Sequence, residues 1–228
     1  CQTLEFGLDA GFVHASDLQL DDLARASFEL HIGEEHAPVH LSLLGEHHVS
    51  NALAAAAIGH ACSMDVHSIA AALSAATLRS HWRMECIELP NGVTLINDAY
   101  NANPESMRSA LRALALMGRN RRTWAVLGEM KELGDSSMME HDALGRLAVR
   151  LDISHLVAIG SAGKIMQIAA ANEGSWGDEA AHVEDVEAAV TYVTSRWKSG
   201  DVVLVKASHS LHLERVAEAL RLAATRED

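Results

Sequence analysis

The sequence predicts an α/β protein whose larger part is a doubly wound, mainly parallel sheet, preceded by the tail of another α/β domain. Three observations predict it. From about Arg79 onward, apolar runs alternate with amphipathic segments in the order strand, helix, strand, helix. Runs such as Val202-Val203-Leu204-Val205 are apolar without alternation, which suits strands of a parallel sheet covered on both faces. Before that point the pattern differs, with alternating segments first and helices after. Right-handed crossovers between the parallel strands make the larger part Rossmann-like.

The elements follow in order. Thr3 to Phe6, Ser27 to Ile32 and Val39 to Leu43 alternate as strands of a half-buried sheet do. After Gly45 the period becomes helical, with Val49, Leu53, Ala56 and Ala57 on one face, and Asp65 can cap a second helix through Ala76. These are too few strands to close a sheet, so residues 1–78 read as the end of a larger domain.

Residues 79–228 form the second part. Met84 to Leu89 and Val93 to Asn97 flank Pro90-Asn91-Gly92, and Asn-Gly between apolar runs is a strong hairpin signal. Asn103 can cap a helix from Pro104 to about Met117, with proline at the first position, where its missing N–H costs nothing. A strand Thr123 to Leu127, a helix Ser137 to Leu151, a strand Leu156 to Ile159 and helices from about Gly163 to Ala171 and Val186 to Trp197 come next. Strand Val202 to Val205 and a helix from about Leu211 close the series. Ser137 and Glu140 have the spacing of a capping box.

Composition bounds the function. The chain has 228 residues, 18 Lys and Arg against 31 Asp and Glu, and a net charge of −13. Phosphate-backbone recognition needs clustered positive charge, so nucleic acid is a poor partner. With 49% hydrophobic residues the chain can bury a core. Three cysteines without a CxxC spacing fit a reducing compartment. The longest apolar stretch, around Ala52 to Ile58, is far short of the roughly 20 residues of a membrane helix. A cytoplasmic protein is expected, and the start at Cys1 rather than Met leads us to expect missing upstream sequence.

Several site types fail. Gly160-Ser161-Ala162-Gly163-Lys164 resembles a phosphate loop only superficially. A Walker loop needs Gly where Ala158 stands and Ser or Thr where Ile165 stands, and GxGxxG fails as well. A tight strand-to-helix turn is the better reading, and without a dinucleotide fingerprint an oxidoreductase is a poor one. The 14 histidines contain no HExxH and no paired Cys/His spacing, so no metal site is expected in this chain. No GxSxG elbow is present.

Polar residues concentrate instead where strands should end: Asn97 to Pro104, Leu127 to Gly134 and Val205 to Ser210. In open α/β sheets the crevice at the carboxyl ends of the strands binds ligands. One such segment could be a polar turn; three point to a site.

Asp98-Ala99-Tyr100-Asn101-Ala102-Asn103-Pro104-Glu105-Ser106-Met107 resembles a signature of the Mur ligase family, in the branch that adds D-alanyl-D-alanine. Gly45-Glu46-His47-His48-Val49-Ser50-Asn51-Ala52-Leu53-Ala54-Ala55 is similar to the family's GxHNxxNxxAA segment. Gly128-Glu129-Met130 through Leu133-Gly134, then His141, and Val205-Lys206-Ala207-Ser208 follow the family's order and spacing. The resemblance covers nearly the whole chain.

It implies that residues 1–78 end a central ATP-binding domain and that 79–228 are the Rossmann-like carboxy-terminal domain. The phosphate loop, the Mg2+ ligands and a carbamylated Lys would lie upstream, so no catalytic residue is expected here and the chain alone would be inactive. The implied reaction is amide formation between UDP-N-acetylmuramoyl-tripeptide and D-alanyl-D-alanine. ATP converts the tripeptide carboxylate to an acyl phosphate, which the dipeptide amine attacks.

By the same resemblance Asn51 and His48 would contact adenine, Arg83 the phosphates and Asp98 the ribose hydroxyls of ATP. Asn101, Asn103, Lys206 and Ser208 would hold the acceptor. The carboxy-terminal domain would swing onto ATP about a hinge near residues 77–81, so replacing Asp98 with Ala would impair nucleotide use without unfolding, and a monomer is expected.

Two departures stand out. His48 occupies a position that is usually Asn, and the usual Lys-Gly-Ser-Arg strand end reads Lys206-Ala207-Ser208-His209, where a neutral imidazole cannot form the guanidinium's bidentate pair. Two other readings stay open: a sister ligase adding a different amino acid, and a non-catalytic α/β binding module.

Overall fold

The computed structural model describes residues 3–77, 81–175 and 177–225. The chain forms two compact units that divide between Arg79 and Ser80. The hinge expected near 77–81 and the boundary expected at residue 78 fall on residues 78–80, outside the described residues.

The first unit contains β1 (Phe6–Gly7), β2 (Val13–Leu20), β3 (Arg25–Ile32), β4 (Glu35–Leu44), α1 (His47–Ala61) and α2 (Val66–Ser74). Its strands form a sheet in the order β1-β2-β3-β4, antiparallel except for β1 against β2. Alternation along β3 and β4 turns Ala26, Phe28, Leu30, Ile32, Ala37, Val39 and Leu41 inward, onto Val49, Leu53 and Ala56 of α1 and Ile69 of α2. Asp65 caps α2 by accepting from Ser68 N at 2.9 Å.

This corrects the expectation that the segment has too few strands for a sheet. The missing strand is β2. Only its first half alternates cleanly, its register shifts between Ser16 and Gln19, and Asp17 takes a φ of 54°, so the period-2 signal is lost midway. The strand expected over Thr3 to Phe6 shrinks to Phe6–Gly7.

The second unit runs β5 (Glu85–Glu88), β6 (Thr94–Asp98), α3 (Pro104–Met117), β7 (Thr123–Leu127), α4 (Ser137–Arg150), β8 (His155–Ile159), α5 (Gly163–Glu173), β9 (Ala180–Val183), α6 (Val186–Thr194), β10 (Val202–Lys206) and α7 (Glu214–Ala224). The sheet order is β5-β6-β10-β7-β8-β9, parallel throughout except for the antiparallel edge strand β5. This is the doubly wound α/β architecture that the alternating rhythm predicts. One face of the sheet packs Leu95, Val126, Val203 and Val205 against Val193 of α6 and Val216 and Leu220 of α7. Trp124 is fully buried in the same cluster.

Local signals behave as the residue chemistry dictates, with three exceptions. Gly92 closes the β5–β6 hairpin at φ 81°, a conformation that costs glycine nothing. Gly163 N donates to Gly160 O at 3.0 Å, making 160–163 a tight turn. Strand β9 was not expected, because its four residues are all only half-buried. Ser137 and Glu140 form no capping box: Ser137 lies inside α4 and Glu140 pairs with Arg108 of α3. The last helix starts at Glu214 instead of Leu211, since residues 209–211 make a 3-10 turn and His212 adopts a left-handed φ of 52°.

Candidate functional site

The site begins with sheet topology. Strand β10 inserts between β6 and β7, in register Lys206 with Asp98 on one side and with Leu127 on the other. The chain after β6 continues into α3, while the chain after β10 continues into α7, which packs beside β6 and β10. Strands β6, β10 and β7 therefore carry their following loops to one crevice, the kind of switch point at which doubly wound sheets bind ligands.

Register alone puts Asp98 and Lys206 side by side at the strand ends. Lys206 Nζ donates to Asp98 Oδ2 at 2.7 Å and to the carbonyl of Asn101 at 2.8 Å, and Asp98 Oδ1 accepts from Met84 N at 3.0 Å. The two side chains are 3% and 12% exposed. A buried charge of either sign needs its partner, so each holds the other in place.

Beyond the pair lies a cavity of about 570 Å³ whose walls include Tyr100, Asn101, Asn103, Lys131, Ser208 and His209. All three polar strand-end segments thus converge on one pocket. Asn103 caps α3: its Oδ1 accepts from Ser106 N at 2.8 Å, while Ser106 Oγ accepts from Asn103 N at 3.1 Å. Asn101 Oδ1 accepts from Ala102 N at 2.8 Å. Ser208 Oγ accepts from Lys131 N at 2.9 Å, and Ser208 N donates to Glu129 O at 3.1 Å, stitching the β10 loop to the β7 loop. Lys131 Nζ rests on Glu129 at 2.6 Å.

The rim is aromatic. The His209 ring stacks near both Trp82 and Tyr100, with centroids 5.9 and 5.8 Å away, and the Arg83 guanidinium lies 4.2 Å over the Tyr100 ring. Arg83 is exposed and, among the described residues, makes no ion pair. The backbone reaches this arrangement through left-handed conformations at Trp82 (φ 62°) and Met84 (φ 47°), held by Tyr100 N donating to Trp82 O and by Met84 N on Asp98.

In the first unit, His48 and Asn51 stand one turn apart at the start of α1. Asn51 is exposed and His48 half-buried. Burial, with His47 alongside, pushes the His48 imidazole down to about 4, so at neutral pH it is uncharged and keeps one donor and one acceptor.

Of the expected site residues, Asp98, Asn101, Asn103, Lys206 and Ser208 gather around the crevice, and Arg83 sits at its rim. Lys206 and Asp98, expected on different ligands, form a single ion pair. Lys131, Tyr100 and Trp82 join this set in the structure without standing among the expected site residues. Lys131 and Tyr100 belong to the polar strand-end segments, which was the available signal, whereas nothing in the sequence marks Trp82.

Residues 82–209 match the profile described as "Mur ligase, glutamate ligase domain". The chain is 46% identical over 229 aligned residues to "UDP-N-acetylmuramoyl-tripeptide--D-alanyl-D-alanine ligase" of Mycobacterium tuberculosis (strain ATCC 25618 / H37Rv), covering 93% of this chain and 45% of that protein. The same-named protein of Bacillus subtilis (strain 168) is 29% identical, over 96% of this chain and 47% of its own length. The chain thus spans a little under half the length of the curated relatives it matches. A crystal structure of MurF from Acinetobacter baumannii superposes with a TM-score of 0.83 at 30% identity, covering 96% of this chain and 47% of that one. The matched profile spans more than half of the residues and includes every wall of the pocket save Ser210, and the chain therefore belongs to the Mur ligase family.

Proposed function

We propose that this chain is the acceptor-binding and nucleotide-closing portion of an ATP-dependent ligase. That ligase joins D-alanyl-D-alanine to UDP-N-acetylmuramoyl-tripeptide in cytoplasmic peptidoglycan precursor synthesis. The observation that carries the reading is the convergence of Tyr100-Asn101-Ala102-Asn103, Lys131 and Ser208-His209 on one polar pocket, in a chain so similar to ligases of that name.

A carboxylate is a poor acyl donor, and its acyl phosphate is a good one. What remains for the protein is to hold the amine in line and steady the charges. The Asn101 and Asn103 side-chain oxygens are already occupied by backbone amides, which leaves their NH₂ groups to donate to the acceptor's carboxylate and carbonyl. Lys131, ion-paired to Glu129, brings an ammonium to the pocket wall. Lys206, buried and committed to Asp98, positions Asn101 through its carbonyl and does not reach for the ligand itself.

Arg83 suits the ATP phosphates: its guanidinium is exposed, and Tyr100 orients it from below. Asp98 would meet the ribose only through the lone pairs that Lys206 and Met84 leave free. His48 and Asn51, both able to donate and accept, suit the adenine edge. Among the described residues no three His, Cys, Asp or Glu stand together as metal ligands, and no step is assigned to a metal ion here.

The test is phosphate release by the intact ligase carrying this chain, given ATP, Mg2+ and UDP-N-acetylmuramoyl-tripeptide. Release that depends on D-alanyl-D-alanine supports the reading. Release driven equally by a single amino acid favours a sister ligase, and no release with any amine favours a non-catalytic module.

A further inference from the structure

His141 is fully buried in α4, and the reaction outlined above has no use for it. Its ring nevertheless ties down the pocket wall. Met130 N lies 2.9 Å from His141 Nε2 and can only donate, so Nε2 accepts; Nδ1, 2.7 Å from the carbonyl of Ser137, carries the proton. The next amide along the chain, Lys131 N, donates to Ser208 Oγ. Two consecutive N–H groups of the β7–α4 loop are thus each held by a side chain from another element. Met130 itself is buried, so its amide has no access to water should the imidazole be removed. Lys131, Glu132 and Leu133 follow directly and line the pocket.

We propose that His141 is a positioning residue for acceptor binding: by accepting from Met130 N it fixes the loop that presents Lys131 to the pocket. The proposal rests on the pocket being the acceptor site. It divides the two substrates, because the nucleotide groups Arg83, His48 and Asn51 lie on other elements. Glutamine at this position can still accept from Met130 N and donate to Ser137 O; leucine keeps much of the volume and can do neither.

In the intact ligase, His141→Leu should raise KM for D-alanyl-D-alanine about tenfold or more while KM for ATP stays within about twofold, and His141→Gln should restore most of the loss. Hydrogen exchange over residues 128–134 reads the loop without activity: it should quicken in His141→Leu and return toward wild type in His141→Gln. Selective ¹⁵N labelling of the wild-type histidines should show His141 protonated at Nδ1 and bare at Nε2.

Equal rises in both KM values, unchanged exchange in the leucine variant, or an Nε2-protonated ring would each overturn the proposal. If His141→Leu does not fold, the tautomer and the glutamine variant's exchange decide it. If wild type shows no dependence on D-alanyl-D-alanine, the functional reading falls, while the exchange data still report whether His141 holds the loop.

Discussion

Lys206 Nζ sits 2.7 Å from Asp98 Oδ2 at the carboxyl ends of two neighbouring parallel strands, with both side chains nearly excluded from water. Breaking such a pair from one side leaves a buried, uncompensated charge. Asp98→Ala should therefore destabilise the second unit by about 3–5 kcal/mol. This predicted cost stands against the expectation that the substitution spares folding, and equilibrium unfolding of the variant decides between them. Replacing both residues, Asp98→Leu with Lys206→Met, should cost less than either single change, as a double-mutant cycle in denaturant would show. Additive costs would remove the pair from the fold's support.

The pair also shows what could be read from sequence and what could not. Apolar runs such as Val202 to Val205 declared themselves as parallel strands because both of their faces are buried. Asp98 and Lys206 were legible as polar strand ends, but their pairing was not. It depends on β10 lying between β6 and β7, and the destination of a parallel crossover is not written in the strand that follows it. Strand β2 escaped notice because its bulge breaks the alternation that marks a half-buried strand. In the sequence His141 stands out only as part of a family spacing; its weight comes from its burial and from the bond it accepts from Met130 N, eleven residues upstream.

Arg83 tests the nucleotide assignment without that burden, because it is exposed and bound mainly to the face of Tyr100. In the intact ligase, Arg83→Ala should raise KM for ATP about tenfold, the worth of one charge-assisted contact, with little change in stability. Arg83→Lys should recover only part of it, since an ammonium neither forks onto phosphate nor stacks as a guanidinium does. Steady-state kinetics with ATP varied checks this; an unchanged KM would take Arg83 out of the site.

Asp201 provides a contrasting control at the other end of the sheet. Its carboxylate accepts from Arg122 Nε at 3.0 Å and Nη2 at 2.6 Å, from the buried Trp124 Nε1 at 2.9 Å and from Lys198 N at 2.9 Å. Asp201→Ala should cost about 3 kcal/mol of stability by stranding those donors. Acceptor and nucleotide KM values of the folded fraction should not move. Denaturation followed by tryptophan fluorescence, beside kinetics below the melting temperature, separates the two effects.

Gly128 joins β7 to the pocket loop under tight packing. A Cβ there would stand 2.7 Å from the Ala207 Cβ and 2.9 Å from Leu213 Cδ1, closer than van der Waals contact allows. Gly128→Ala should push the β7 end away from β10, at about 1–3 kcal/mol. Because Ser208 and Lys131 are tied across that same junction, acceptor binding should weaken along with stability. Thermal melts and acceptor KM measured together check the coupling, and a stable variant with a normal KM would refute it.

His48 makes the first unit sensitive to acid. Its ring is held down to about 4 by burial, then by His47, while a free imidazole titrates near 6.5. Between those values the unfolded chain takes up a proton that the folded chain refuses, so stability falls as pH drops through that window and levels off below it. The ring is only partly enclosed, which limits the effect to about 1 kcal/mol. His48→Gln removes the titration, so wild type should lose stability relative to the variant as pH falls from about 6.5 to 4. A histidine ring titration by NMR should place the His48 midpoint near 4. A midpoint close to 6.5, or a difference independent of pH, would show that the ring is freely hydrated.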